Sequence, residues 1–321
     1  MFFFSPTAMC LQAAGSAERR DHQKNLMFKN LNLGALGITG RQSEVIELTL
    51  SHGFKGLDLD LVEFGHQVQA SGLPHARRLI DSARLRIGSV RLSLDWNCDT
   101  AAFDAQLEKL AVQIQPAAQI GCTRAIADLD PASEHKPYHE NFELHRRRYG
   151  KLAEVLGRQG LKLGLGFLAP IALGRDRTYP FIQTADAFLL LLKSITSPNV
   201  GLALDVWHWH LGGGTAEQIA ALGPGKVVTV GLADADPDTT AENADRALRR
   251  LPGTTGVIDA AKFLSVLAAA KYDGPVTALP SAAVFAGQSR ERIVKQTAEA
   301  LDSVWKVAGL QPARPGAFSR V

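Results

Sequence analysis

From about residue 30 to residue 308, short apolar runs alternate with longer amphipathic segments at an even spacing. Eight of these runs are almost continuously apolar, which is typical of strands buried on both faces of a parallel sheet. The runs predict strands at 31–38, 56–61, 86–92, 124–128, 161–168, 200–206, 227–232 and 275–279.

The segments between the runs have the 3.6-residue period of amphipathic helices. Gly53, Gly121 and Gly160 end three of these segments, at points where a left-handed cap residue is expected. The pattern predicts helices at 43–52, 74–83, 102–120, 142–159, 184–194, 216–222, 260–270 and 290–308.

Eight strand and helix units follow one another without a linker rich in Pro, Ser or charge, which favours one closed barrel. We therefore predict an α/β fold, a single (β/α)8 TIM barrel with a closed sheet of eight parallel strands. An open, doubly wound sheet would need a phosphate-binding glycine fingerprint after the first strand, and residues 34–40 do not provide one. The predicted organisation is an N-terminal extension (1–28), the barrel (29–309) and a C-terminal tail (310–321).

Composition excludes several function classes. The chain has 321 residues, with 35 basic and 32 acidic side chains, and no basic stripe interleaved with aromatics, so a nucleic-acid partner is not expected. No apolar run reaches the roughly 18 residues of a membrane span. The cysteines are three in number and include no closely spaced pair, and the N-terminal apolar segment is interrupted by Pro6. Both features favour a cytoplasmic protein over a secreted one. Pairing of barrels into a homo-oligomer is a further expectation, without an identified interface.

The active sites of such barrels lie at the carboxyl ends of the strands. One predicted strand ends in Asp205, and His208 follows three residues later. A carboxylate and an imidazole at a strand end suit metal ligation or proton transfer, and Trp207 and Trp209 beside them offer stacking faces for a sugar ring. The alternative is that Asp205 only caps the next turn while His208 lines a wall.

Other polar residues near strand ends have weaker patterns. Asp58 and Asp60 alternate with leucines, which places both on one face of the second strand. Acidic residues at strand ends are more typical of solvated loops and caps, and the candidates are Glu63, Asp128 and Asp130. The polar stretch after the fourth strand, long enough for a loop that forms a lid, contains His135, His139 and His145. Their spacing is weak for a metal site, so we expect solvated loop histidines.

Five segments, in this order along the chain, resemble the xylose isomerase-like TIM barrels, the sugar phosphate isomerase/epimerase group. The resemblance covers most of residues 30–308 and is densest from 162 to 280. The segments are 199–201, 205–208, 232–234, 250–253 with 256–259, and 272–276. They identify the substrate-binding candidates as Asp205, Trp207, His208, Asp234 and Arg250.

The resemblance implies a divalent metal held by Glu, Asp, His and Glu from four strand ends, and proton transfer between adjacent carbons of a sugar or polyol. Only the aspartate is retained, as Asp205. Gly166 and Leu279 stand where the two glutamates are expected, and Gly231 stands where the histidine is expected. Because one carboxylate with water does not hold Mn²⁺ or Mg²⁺ selectively, we expect no metal and no other cofactor.

Two hypotheses follow. The first, which we favour, is a degenerate isomerase-like barrel, a pseudoenzyme that binds a small sugar or polyol, or a protein partner, without metal-dependent isomerisation. The second is an active isomerase, epimerase or lyase that uses Asp205, His208 and relocated ligands, with a divalent metal such as Mn or Mg. In that case His208 orients a substrate hydroxyl or carbonyl, and Arg249 or Arg250 holds an anionic group.

Overall fold

The computed structural model describes residues 27–40 and 42–310, and in this part of the chain eight parallel strands close into a barrel. The order around the barrel is that of the sequence, with β1 hydrogen-bonded to both β2 and β8. This confirms the predicted TIM barrel. The strands are β1 (Phe28–Leu31), β2 (Gly56–Leu59), β3 (Arg86–Arg91), β4 (Arg124–Leu129), β5 (Lys162–Phe167), β6 (Val200–Asp205), β7 (Val227–Leu232) and β8 (Pro275–Ala278).

Helices surround the barrel, and a two-residue pairing of Ala132–Ser133 with Tyr179–Pro180 lies outside it. None of the helices in the described residues is long and apolar enough to cross a lipid bilayer. The helices are α1 (Gln42–Ser51), α2 (Leu61–Ser71), α3 (Leu73–Ala83), α4 (Thr100–Gln119), α5 (Tyr138–Arg158), α6 (Ala185–Ser194), α7 (Val206–Leu211), α8 (Ala216–Leu222), α9 (Ala260–Ala269) and α10 (Arg290–Val307).

The predicted position of the first strand is wrong, because β1 lies three residues earlier and residues 33–37 form a turn. The polar residues Lys29 and Asn30 concealed this strand, although both are buried. The Lys29 ammonium pairs with the Asp302 carboxylate of α10 at 2.7 Å. Polar partners inside the fold therefore allow β1 to depart from the apolar pattern of the other strands.

The second strand is shorter than predicted, and an unpredicted helix, α2, follows it. Asp60 does not share a strand face with Asp58, because its carboxylate accepts hydrogen bonds from the backbone N–H groups of Val62 and Glu63 and caps α2. A second unpredicted helix, α7, begins directly after Asp205. Both helices are hidden in the sequence because the apolar run of the strand continues into their first turn.

The histidines after the fourth strand do not form an open loop. His139 and His145 lie in α5, which begins four residues earlier than predicted, whereas His135 precedes it. His145 is buried, and its ring Nδ1 lies 2.8 Å from the Asn141 carbonyl. The expectation of solvated histidines is therefore wrong for His145, which packs against Phe181. The extension before residue 27 and the tail after residue 310 lie outside the described residues.

Candidate functional site

A cavity of about 1380 Å³ opens at the carboxyl ends of the strands, the end at which TIM barrels carry their sites. Residues of β2 to β8 and of the loops after the strands line it. Its lining is mixed, with apolar side chains beside a small number of charged ones, as in many small-molecule sites. The ionisable lining residues are Asp58, Asp60, Glu63, Arg91, Lys109, Asp128, Asp205, His208, Arg246 and Arg249.

Asp205 ends β6, and its carboxylate is bound by an arginine. Nη2 of Arg249 lies 2.7 Å from Oδ2 and 2.9 Å from Oδ1 of Asp205. Oδ1 also accepts from the backbone N–H groups of Trp207 and His208, so the same carboxylate caps α7. Burial would by itself raise the pKa of Asp205, but the Arg249 charge and these hydrogen bonds hold that pKa below its ordinary value.

Arg249 is fixed from several sides. It follows a short 3₁₀ turn, Arg246–Leu248, and its carbonyl accepts from the Ser281 N–H at 2.9 Å. Its guanidinium carbon lies 5.0 Å from the ring centre of Trp207, within range of a cation–π interaction. The side chain is only 6% exposed, and its Nε has no hydrogen-bond partner among the described residues. Arg249 is therefore a rigid, almost fully buried cation at the barrel mouth.

His208 is the second predicted residue that lines the cavity. The Ala169 N–H donates to its Nδ1 at 3.2 Å, so the ring hydrogen of the neutral form is on Nε2. Burial lowers the pKa of His208 to about 4, although the neighbouring Asp205 charge opposes this shift. The imidazole is therefore neutral at physiological pH and offers Nε2–H as a donor.

The pair Gly231 and Leu279 occupies two of the positions at which the resemblance predicts metal ligands. Gly231 lies beside Asp205 in the register of β6 and β7. A Cβ added at Gly231 would lie 2.3 Å from Cδ1 of Leu279, so the leucine fills the space that a side chain at 231 would need. A histidine at this position is thus incompatible with Leu279 in its present place.

Gly166 on β5 is the third such position, and Asp128 on β4 is its register partner. A Cβ at Gly166 would lie 2.9 Å from Oδ1 of Asp128. Asp128 in turn forms an ion pair with Arg91 of β3. A carboxylate from the neighbouring strand therefore lies beside the empty side-chain position of Gly166.

These residues do not fit the divalent metal that the resemblance implies. Asp205 is engaged by a guanidinium, and Gly166, Gly231 and Leu279 have no side-chain donor atom. Within residues 27–40 and 42–310, no three His, Cys, Asp or Glu side chains lie close enough together to hold a metal ion.

A polar network that sequence analysis missed surrounds Asp58 on β2. Its carboxylate accepts from Nδ2 of Asn30 at 3.0 Å, from Nδ2 of Asn32 at 2.8 Å and from Oγ of Ser89 at 2.9 Å. Nδ2 of Asn30 also donates to Oγ1 of Thr277 at 2.9 Å. Burial raises the pKa of Asp58, and the three hydrogen bonds oppose the rise. The sequence signal for this network is the presence of its polar residues within or directly after otherwise apolar strands.

The remaining predicted candidates do not line the cavity. Trp207 is fully buried and supports Arg249. Asp234 is also fully buried, and its carboxylate accepts from four backbone N–H groups, three of them in the loop 255–258. Arg250 forms a two-pronged ion pair with Asp236 outside the cavity. Substrate contact by these three residues stays a prediction, and Arg249 rather than Arg250 lines the cavity.

Comparison with known proteins gives a consistent result. The family model of the xylose isomerase-like TIM barrel matches residues 46–304. A xylose isomerase domain protein from Alicyclobacillus acidocaldarius subsp. acidocaldarius has a similar structure, with TM-score 0.79 and 25% identity, over 88% of this chain and 100% of that chain. No curated protein matches the chain significantly.

Two further solved structures share the fold at lower identity. One is the IOLI protein with a bound zinc atom, with TM-score 0.74 and 16% identity, over 88% of this chain and 99% of that chain. The other is D-psicose 3-epimerase with D-tagatose from Clostridium cellulolyticum H10, with TM-score 0.69 and 15% identity, over 88% of this chain and 99% of that chain. The chain thus belongs to the xylose isomerase-like TIM barrel family.

Proposed function

We propose that this protein binds a small polyhydroxylated ligand, a sugar or polyol, at the barrel mouth without a divalent metal. The observation that carries the proposal is the bond between Arg249 and Asp205, the one family ligand that the chain retains. In this arrangement, the positive charge next to Asp205 is a fixed guanidinium. No metal is then needed to compensate the carboxylate.

The cavity has the chemistry that a polyol requires. His208 lines the cavity and offers Nε2–H to a ligand oxygen. Asn32 and Ser89 line the opposite wall. The sugar named with the structural neighbour, D-tagatose bound to a psicose epimerase, supports the same ligand class here.

The proposed role excludes metal-dependent isomerisation. Transfer of a proton between adjacent carbons needs an acid and a base close to the substrate, and the two expected glutamates are Gly166 and Leu279. His208 is neutral, and its hydrogen-bonded Nδ1 leaves Nε2–H as a donor rather than a base.

Calorimetric titration tests the proposal directly. D-tagatose, D-psicose and D-fructose are titrated into protein dialysed against EDTA, and again after addition of Mn²⁺, Mg²⁺, Co²⁺ or Zn²⁺. We expect binding in EDTA that the metals do not strengthen, and about tenfold weaker binding by His208→Phe, which removes the neutral Nε2–H donor. Arg250→Gln, outside the cavity, is the matched control. Near-stoichiometric metal in the purified protein, or binding that appears only with metal, would contradict the proposal.

One observation favours the second hypothesis, an isomerase with relocated groups. Oδ1 of Asp128 lies 2.9 Å from the position of a Cβ at Gly166, so a carboxylate is available near the place of the missing glutamate. Incubation of the same sugars in deuterium oxide distinguishes the two functions. Deuterium incorporation that Asp128→Asn abolishes would support an active isomerase, whereas its absence would leave ligand binding as the function.

A further inference from the structure

We propose that the ligand carries a cationic amino group, which binds at Asp58 across the mouth from Arg249. The inference rests on the proposed function and specifies its ligand as an amino sugar or amino polyol. It starts from the different partners of three partly buried carboxylates that line the cavity.

Two of the carboxylates in the cavity have an arginine of their own. Asp205 is bound by Arg249, and Asp128 is bound by Arg91. Asp58 forms no ion pair with any of the described residues. All three of its hydrogen-bond donors are neutral, two amides and one hydroxyl. A partly buried carboxylate without a cation is costly, and a charged donor that reaches it gains more than a neutral one.

The network around Asp58 is also short of donors. Oδ1 of Asp58 accepts from Asn30 and Ser89, whereas Oδ2 accepts only from Asn32 and can take a further donor. An ammonium group supplies three donors and no acceptor, whereas a hydroxyl supplies one donor and needs an acceptor or donor of its own. The excess of acceptors on this wall therefore favours an amine over a hydroxyl.

The charges near Asp58 do not supply the missing cation. Asp60 and Glu63 on α2 add negative charge at the same side of the cavity, and the Asp60 carboxylate is used as the helix cap. Lys109 on α4 lines the rim, but its side chain is exposed and forms no ion pair with Asp58. The β2 wall is therefore acidic.

The positions of the strands around the barrel determine the orientation of the ligand. In a closed barrel of eight strands in sequence order, β2 and β6 are four strands apart and face each other across the mouth. An amine at Asp58 would place the hydroxyl-bearing part of the ligand toward His208 and Arg249. The arginine also disfavours an amine at the other wall, since like charges repel.

Three polyols with the same six-carbon chain test the inference. D-Glucamine, D-sorbitol and D-gluconate differ only at one terminal carbon, which bears an ammonium, a hydroxyl or a carboxylate. Calorimetry of the wild-type protein at pH 7 should show glucamine binding about 10-fold to 100-fold tighter than sorbitol, the gain of a charge-assisted over a neutral hydrogen bond, with gluconate weakest. Equal binding of glucamine and sorbitol, or tightest binding of gluconate, would overturn the inference and leave the proposed function intact. Failure of all three to bind would overturn both.

A variant pair locates the amine. Asp58→Asn removes the charge, so the preference for glucamine over sorbitol should fall to about twofold or less, while sorbitol affinity changes little. Asp60→Asn removes a charge two residues away and keeps a good helix cap, so it should retain the preference. A preference that survives in Asp58→Asn would place the amine elsewhere and overturn the assignment. If Asp58→Asn does not fold, the ranking of the three polyols by the wild-type protein still decides.

Discussion

On the β5 to β8 side of the mouth, the buried Asp205 carboxylate is neutralised by Arg249, whereas on the β1 to β3 side the Asp58 carboxylate is held only by amides and a hydroxyl. The pKa of the first is lowered and that of the second is raised, although burial acts on both in the same direction. The difference shows that burial alone does not decide the state of a carboxylate in this cavity. The partner decides it: Asp205 has a cationic partner within the fold, and Asp58 has none among the described residues.

The largest expected effect on stability comes from removing the Arg249 cation. Arg249→Met should lower the free energy of unfolding by about 3 kcal/mol or more, because it leaves Asp205 charged and unpaired in a mostly buried site. Urea denaturation at pH 7 measures the loss. Adding Asp205→Asn to Arg249→Met should recover part of it, since the unpaired charge is then gone.

The neighbouring arginine provides the control for this experiment. Arg250→Met breaks the ion pair with Asp236, which is exposed on the protein surface, and should leave the unfolding curve nearly unchanged. Equal losses in Arg249→Met and Arg250→Met would contradict the role assigned to the buried pair.

His208 lies on the same side of the mouth, and its low pKa predicts how the free energy of unfolding depends on pH. Its pKa in the folded protein is about 4, below the ordinary 6.5, so below pH 6.5 the unfolded chain binds a proton that the folded chain does not. Stability is therefore fully present above pH 6.5 and falls as the pH drops toward 4, by about 3 kcal/mol for this residue. Denaturation curves at pH 7, 5.5 and 4 should show a shallower decline in His208→Gln than in the wild type. His75→Gln, at an exposed position on α3, controls for the loss of a histidine, and an unchanged slope in His208→Gln would contradict the expectation.

A smaller effect is expected where Leu279 fills the space beside Gly231. Gly231→Ala places a Cβ against Cδ1 of Leu279 and should cost about 1–3 kcal/mol. Leu279→Ala in the same chain should relieve the clash, so the two substitutions should be less destabilising together than their sum. Gly65→Ala on α2, where an added Cβ meets nothing within 4 Å, is the matched control. Additive effects of the two substitutions in thermal unfolding would show that the residues do not compete for this space.

The regular part of the fold follows from hydropathy, and the exceptions have a common physical cause. Strands such as Val227–Leu232 are almost entirely apolar, and the observed bounds of this strand agree with the pattern. β1 was misplaced because Lys29 and Asn30 are polar but buried, with partners that lie more than 240 residues away in sequence. A local pattern cannot reveal partners that only the closed barrel brings together.

The site was predictable to the extent that it depends on strand ends. Asp205 and His208 follow an apolar strand and do line the cavity. Arg249 and Arg250 are adjacent in sequence, and only the extended backbone between them decides which side chain points inward. Asp234 has the appearance of a site residue but stabilises a loop through backbone N–H groups, a role that depends on the path of residues 255–258.

The ion pair between Lys29 and Asp302 has a consequence for the order in which this chain folds. The ammonium is almost fully buried in the first strand, and its partner lies near the end of the last helix. A growing polypeptide that has completed all eight strands but not α10 would still hold an uncompensated charge at the seam between β1 and β8. We therefore expect closure of the barrel to require α10, and a chain truncated before α10 should fold poorly despite its complete sheet.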